Sequence, residues 1–291
     1  MNDPNDSNEV NDSNDPNDPN HMEYRAFGNT GLQVPVVGMG TWHTFDVRGQ
    51  EAAERNAVTD AAFETGATFF DSSPMYGEAE RVLGRTLRGR RDEAIVATKV
   101  WTSNDREAMR QITASLAFFR RRVDVFQVHN LVAWRTRLDQ LQRLRDEGAV
   151  RAIGITHYAA TAADDLLRAM KDPRVQAVQV PYNPRERWIE SSILPAAADL
   201  GLGVIVMRPF GEGSLARMRV NSSALEPLKP FGIGSWPQAL LKWILSDTRC
   251  HVAIPATSSA DHLLTNAAAG DPPWLGPDER SYIAGLAGHS S

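Results

Sequence analysis

Val123-Asp124-Val125-Phe126-Gln127-Val128-His129 is a short apolar run that ends in a histidine. After it, Leu138, Leu141 and Leu144 recur at i, i+3 and i+6 among Arg, Asp and Gln; then come Gly148 and a second apolar run, Ala152-Ile153-Gly154-Ile155. The helical period of the leucines, stopped by a glycine, predicts an amphipathic helix between two strands. Strand, helix and strand in about 30 residues make a parallel crossover unit.

The same unit recurs in both directions along the chain. Apolar runs begin near Val36, Ala67, Ala94, Val123, Ala152, Gln176, Gly203 and Cys250, at steps of 31, 27, 29, 29, 24, 27 and 47 residues. Six steps fit one helix per strand; the seventh leaves room for a loop from Gly211 to Ser235, expected to pass over the mouth of the fold. Eight units of continuous apolar strands, each covered on two faces, predict an α/β fold of the (β/α)8 TIM-barrel class with long loops on its C-terminal face. Ahead of them, Tyr24–Phe27 and Leu32–Val34 flank Gly28-Asn29-Thr30-Gly31, a predicted N-terminal hairpin. A doubly wound sheet is the competing architecture, but it needs a glycine-rich phosphate turn early in the chain. Gly38-Met39-Gly40 runs instead into Thr41-Trp42-His43, with no third glycine and no helix start.

Composition narrows the function. The chain has 291 residues, 42% hydrophobic and 23% charged, which suits one large barrel and excludes disorder throughout. Its net charge of −5 comes from residues 1–20, which hold five Asp, one Glu and no Lys or Arg; the rest carries +1. A near-neutral body offers no electrostatic footprint for nucleic acid or an anionic membrane. The single cysteine, Cys250, excludes an internal disulfide framework and a multi-cysteine zinc site. With no membrane-length apolar run and no signal-type N-terminus, a cytoplasmic protein is expected. Residues 1–21 repeat Asn-Asp-Pro-like triplets and are expected to be a disordered tail or an expression leader. Residues 22–291 are expected to form the single barrel domain.

In a barrel, chemistry collects at the C-terminal ends of the strands. Ala67-Thr68-Phe69-Phe70 ends in Asp71 and a loop containing Tyr76; Ala94-Ile95-Val96-Ala97-Thr98 ends in Lys99; the Val123 run ends in His129. Only Lys99, Lys171, Lys229 and Lys242 among the 31 basic residues are lysines, so one at a strand end suggests chemistry that guanidinium cannot do. Tyrosine, with an ordinary pKa near 10, is a poor proton donor at neutrality. An ammonium about 4 Å away contributes roughly 4 kcal/mol at an effective dielectric near 20, which is expected to bring Tyr76 into catalytic range. Asp71 would keep Lys99 charged and His129 would position a substrate oxygen, giving an acid that protonates a developing alkoxide. Trp42, His43, Trp101 and Trp134 follow strand ends and are expected to ring the substrate pocket, suiting an apolar or aromatic substrate.

Asp71 through Tyr76-Gly77-Glu78, Val96-Ala97-Thr98-Lys99-Val100, Val128-His129, Gly154-Ile155-Thr156-His157-Tyr158 and Gln179-Val180-Pro181-Tyr182-Asn183 together resemble the aldo-keto reductase superfamily, over about residues 23–270. That resemblance implies a barrel binding a nicotinamide dinucleotide across the strand ends, usually NADPH with NADH as the alternative, and NAD(P)H-dependent reduction of an aldehyde or ketone with Tyr76 as proton donor. It implies Thr156 and Gln179 at the carboxamide, with His157 where many members carry Asn. Met207 falls at a position often aromatic beside the nicotinamide. Arg208, Pro209, Phe210, Gly211, Gly213 and Leu215 would wrap the pyrophosphate. Ala256, Thr257, Ser258, His262 and Asn266 would meet the adenosine. Ala256 and His262 replace a Lys and an Arg common at the 2′-phosphate, where Arg208 could supply charge instead.

Two other functions fit parts of the pattern. Lys99 could form a Schiff base in an aldolase-like barrel. A nicotinamide-binding redox-sensor subunit would need little turnover. No metal site is expected, because the strand ends carry no His-x-His pair or close carboxylate and histidine cluster.

Overall fold

The computed structural model describes residues 22–288, so the tail read over residues 1–21 lies outside the described residues. The chain opens with an antiparallel pair, β1 (Tyr24–Ala26) and β2 (Gln33–Pro35), joined through a 3-10 turn at Gly28–Thr30. Strands and helices then alternate: β3 (Met39–Gly40), α1 (Gly49–Glu64), β4 (Phe69–Asp71), α2 (Ala79–Thr86), β5 (Ile95–Val100), α3 (Asp105–Phe118), β6 (Val123–Val128) and α4 (Trp134–Asp146). They continue as β7 (Val150–Thr156), α5 (Ala163–Met170), β8 (Ala177–Pro181), α6 (Ile193–Asp199), β9 (Gly203–Met207), α7 (Ser222–Leu225), α8 (Trp236–Leu245), β10 (Val252–Ala253), α9 (Ala260–Ala267) and α10 (Pro277–Gly288).

Strands β3 to β10 form one parallel eight-stranded sheet in sequence order. Its two edges meet through bridges Val37–Ala253 and Gly40–Ala256, with Gly38 N–H donating to Ala253 O at 2.8 Å and Gly40 N–H to Pro255 O at 3.1 Å. The sheet is thus a nearly closed barrel. The expected strand at Cys250 begins at Val252, and Cys250 itself is core. In α4, Leu138 and Leu141 are fully buried, and Gly148 follows the helix at φ +76°, as its stop position requires. The loop from Gly211 to Ser235 is packed rather than loose: it carries α7 and a 3-10 segment, Leu215, Leu228 and Ile233 are buried, and Trp236 Nε1 donates to Leu215 O at 2.9 Å.

Side chains alternate between the two faces of each strand. Phe70, Val96, Phe126, Ile153, Val178 and Val204 belong to the apolar layer shared with the helices. The inward set forms a second cluster at the barrel floor: Phe69, Ala97, Val125, Ala152, Ala177, Ile205 and Val252, sealed by Phe27, Leu32 and Val34 of the hairpin. The Phe27 ring lies 6.2 Å from that of Phe69, and a Cβ on Gly203 would come within 2.5 Å of it, so a glycine is required there. One step of two residues further along the same strands, the inward positions turn polar: Asp71, Lys99, Gln127 and Gln179. The floor supplies stability and the layer above it holds the functional groups.

One buried acid ties the layers together near that site. Glu80, on α2 and four residues after Tyr76, is 3% exposed; its Oε1 accepts Thr98 Oγ1 of β5 at 2.6 Å and Ser115 Oγ of α3 at 2.7 Å. Burial pushes its carboxyl from the ordinary 4.5 up to about 7, against the pull of the two hydroxyls and Lys99.

Two outcomes follow. Phe27→Ala should lower unfolding stability by about 3–5 kcal/mol, measured by urea denaturation, because the floor loses its plug. For Glu80, the unfolded chain ionises near 4.5 while the native state holds the proton to about 7. Its contribution is therefore full below the unfolded value and declines as pH rises through that window, by about 3 kcal/mol in all. Glu80→Gln should gain stability relative to the parent between pH 4.5 and 8; a constant difference between the two proteins would contradict this assignment.

Candidate active site

Lys99 on β5 points into the barrel, where its Nζ donates to Asp71 Oδ2 at 2.6 Å and to Ser72 O at 2.9 Å. Both side chains are almost wholly buried, at 1% and 2% exposure. A buried charge without partners costs several kcal/mol, so the carboxylate must be satisfied on every side. Gln127 Nε2 donates to Asp71 Oδ1 at 3.2 Å and Gln179 Nε2 to Oδ2 at 3.3 Å. Gly154 makes room for this arrangement, since a Cβ there would lie 2.8 Å from Gln127 Cγ. Burial pushes the Lys99 ammonium down, but Asp71 and Tyr76 hold it up, and the balance lies above its ordinary value.

Tyr76 follows β4 on a tight turn, its N–H donating to Ser73 O at 3.0 Å, and Lys99 Nζ lies 5.3 Å from the centre of its ring. Here the structure corrects the sequence expectation. Burial raises the phenol above its ordinary value; Lys99 pulls it down by charge and by hydrogen bonding, but the neighbouring Asp71 charge opposes that pull. Burial outweighs the pull of Lys99, which Asp71 partly offsets, so Tyr76 is a protonated donor rather than one tuned to neutrality.

His129 closes β6 and is 7% exposed, with Nδ1 3.1 Å from Ser73 Oγ. Burial, helped by the charges of Lys99 and His157, pushes it down to about 3, so the imidazole is neutral. Asn130, in the left-handed region at φ 52°, donates its N–H to Thr156 Oγ1 at 3.2 Å and so fixes the turn that aims His129.

Above these groups opens a cavity of about 360 Å³. It is lined by Asp71, Tyr76, His129 and Gln179 together with Trp42, His43, Met75, Tyr158 and Phe210. Of the residues expected at a cofactor, Gln179, Met207, Arg208, Pro209, Phe210, Gly213 and Ala256 line this cavity. The segment from Arg208 folds sharply, with left-handed φ at Arg208 (53°), Gly211 (53°), Glu212 (56°) and Gly213 (85°), the kind of backbone that forms anion-binding concavities. Leu215 is buried under it.

Other expected residues lie elsewhere. Thr156 Oγ1 accepts the Asn130 N–H at 3.2 Å, and Thr156 does not line the cavity. His157 accepts Ala159 N–H at 3.1 Å and stacks on Tyr158, and it is Tyr158 that faces the cavity. Trp134 packs against the core at the start of α4, with Arg135 over its ring at 4.2 Å. Trp101 does not line the cavity but sits 6.4 Å from the His129 ring. Arg208 pairs with Glu212 at 3.0 Å and lies over Tyr158 at 4.8 Å. Thr257 uses its hydroxyl to hold Ser259, whose own Oγ accepts His262 N–H and caps α9. Ala256, Ser258 and His262 are exposed, and Asn266 is buried.

Sequence reasoning missed Gln127, Ser73 and Tyr158. Gln127 carried a signal: it is inward by the alternation that places Val125 and His129, and a glutamine inside an apolar strand is rarely idle. The described residues contain no cluster of three or more His, Cys, Asp or Glu able to hold a metal ion. No helix among them is long and apolar enough to cross a membrane.

The sequence and the fold have counterparts. "Aldo-keto reductase YhdN" of Bacillus subtilis (strain 168) is 31% identical over 198 residues, 61% of this chain and 59% of that protein, so the match spans less than two thirds of that relative. "Methylglyoxal reductase YeaE" of Escherichia coli (strain K12) is 26% identical over 248 residues, covering 81% of this chain and 86% of the relative. Among solved structures, an aldo-keto reductase from Klebsiella pneumoniae in complex with NADPH superimposes with a TM-score of 0.76 at 25% identity, over 91% of this chain and 95% of that one. A sequence model of the Aldo/keto reductase family matches residues 36–286, and the chain belongs to that family.

Proposed function

We propose that the chain reduces an aldehyde or ketone to an alcohol with NADPH, Tyr76 supplying the proton. The observation that carries this reading is a protonated Tyr76 and a neutral His129 lining one cavity, with a charged Lys99 buried beside Tyr76, its Nζ 5.3 Å from the ring centre. The chain also fits the cofactor: Gln179 Oε1, at a residue lining the cavity, is buried without a hydrogen-bond partner, and an unpaired buried acceptor calls for a donor such as a carboxamide NH₂. Gln179 would hold the carboxamide, Met207 would pack against the ring, and the backbone from Arg208 to Gly213 would receive the pyrophosphate. The adenosine would lie over the exposed Ala256, Ser258 and His262.

When bound, NADPH supplies a hydride to the carbonyl carbon and leaves as NADP⁺. The protein supplies the rest. Tyr76 gives its Oη proton to the carbonyl oxygen as negative charge grows there, and a raised pKa keeps that proton in place until the alkoxide, a stronger base, demands it. Lys99 stabilises the phenolate left behind, and Asp71 keeps Lys99 charged. Neutral His129 orients the substrate oxygen without competing for the proton. Trp42, His43, Met75, Tyr158 and Phe210 on the cavity walls favour an apolar or aromatic carbonyl compound and exclude water. Schiff-base chemistry needs an uncharged lysine, and the ion pair with Asp71 works against one.

Fluorescence titration with NADPH and NADH, followed by absorbance at the nicotinamide band with an aromatic aldehyde, tests the reading; tighter NADPH binding with turnover is expected, and failure to bind either dinucleotide overturns it. Tyr76→Phe should lower kcat by about 10²- to 10⁴-fold with cofactor Kd unchanged, whereas equal loss of both would remove Tyr76 from the donor role. Because Tyr76 sits above its ordinary value of 10.0, kcat for reduction should show no alkaline fall attributable to it below about that pH. A tyrosine-dependent fall near neutrality, absent in Tyr76→Phe, would contradict the direction of the shift.

A further inference from the structure

Ser73 lies at the joint between the two groups that would meet a substrate oxygen. Its backbone carbonyl accepts the Tyr76 N–H at 3.0 Å, and its Oγ lies 3.1 Å from His129 Nδ1. The side chain is fully buried, so its hydroxyl cannot turn to water. Its Oγ already accepts the Met75 N–H at 3.4 Å, and among the described residues His129 Nδ1 is the one acceptor within reach of its hydrogen.

A buried hydroxyl leaves no donor idle when an acceptor stands beside it. We propose that Ser73 is a positioning residue for carbonyl reduction: it donates to Nδ1 and thereby fixes His129 as the Nε2–H tautomer. The ring carries a single proton, since burial and the charge of Lys99 exclude the imidazolium. With Nδ1 accepting from Ser73, that proton resides on Nε2, the nitrogen left for the cavity that His129 lines. Nε2–H donates to the carbonyl oxygen and helps gather negative charge on it. The opposite tautomer would present a lone pair to the same oxygen and repel it. Because the Ser73 backbone also holds Tyr76, one residue sets both the place of the proton donor and the polarity of its neighbour.

This inference rests on the reductase reading for its consequence, but the tautomer is a property of the protein alone. The full chain labelled with ¹⁵N-histidine distinguishes the two tautomers by nuclear magnetic resonance, and of the seven histidines the His129 signals are those lost in His129→Gln. The unsubstituted protein should show Nε2–H, and Ser73→Ala should populate Nδ1–H. Ser73→Ala should also lower kcat/KM for carbonyl reduction about ten-fold, the weight of one hydrogen bond at a buried site, with NADPH Kd unchanged. An Nδ1–H ring in the unsubstituted protein, or a tautomer untouched by Ser73→Ala, overturns the proposal. Absence of NADPH-dependent turnover would sink the reductase reading, and the spectra would still decide the role of Ser73.

Discussion

The ion pair between Lys99 and Asp71, closed at 2.6 Å inside the barrel, is the constraint around which the upper half of the fold is arranged. Two charges out of water must recover several kcal/mol each from their surroundings. The chain meets that demand with inward positions of four successive or nearby strands. Asp71 comes from β4, Lys99 from β5, Gln127 from β6 and Gln179 from β8, while β7 contributes Gly154, an absence of side chain that lets Gln127 reach across. Ser72 O completes the ammonium. Removing any one partner leaves a buried polar group exposed to its neighbours' fields, so the cluster stands or falls together.

Such a cluster can exist only because another part of the barrel does the work of stability. The hairpin drives Phe27, Leu32 and Val34 into the floor against a ring of inward apolar side chains, and the helices cover the outward ones. Each of these four strands, β4, β5, β6 and β8, therefore carries a stabilising residue and a functional residue two positions apart: Phe69 and Asp71, Ala97 and Lys99, Val125 and Gln127, Ala177 and Gln179. The spacing of two is the pleat itself. It lets the loops and strand ends vary in chemistry while the floor remains closed.

This division also decides what could be read from the chain before folding. Eight apolar runs at near-constant steps, with leucines at helical spacing between them, report backbone geometry, and the strands fell within a few residues of them; the last began two residues late because Cys250 is core just outside the ladder. Asp71, Lys99 and His129 were legible because each is a polar residue ending an apolar run. Thr156 and His157 have the same appearance, yet neither lines the cavity: Thr156 Oγ1 accepts the Asn130 N–H and His157 Nδ1 the Ala159 N–H, local contacts that a residue's place after a strand does not reveal. Trp134 was misplaced for a related reason: position after a strand says nothing of which way an indole turns, and at the start of α4 the core was closer than the mouth. The direction of the Tyr76 shift was out of reach, since it depends on how deeply the phenol is buried and only then on how Lys99 and Asp71 are placed around it.

The burial of Tyr76 changes how the site is understood. A tyrosine pulled toward neutrality would be acidic in the resting enzyme, but it would lose its proton to solvent part of the time and arrive at the reaction already spent. A buried tyrosine held above its ordinary value, beside a cation that is already paired, keeps its proton through the resting state. In the proposed reaction the balance changes only when charge develops on the substrate oxygen: the alkoxide is more basic than any phenolate, so transfer becomes favourable at that moment, and Lys99 then faces two anions instead of one. The ion pair thus resists ionisation of Tyr76 before the reaction and supports it during the reaction. Stabilisation is concentrated where charge appears and withheld where it does not, the differential that catalysis requires.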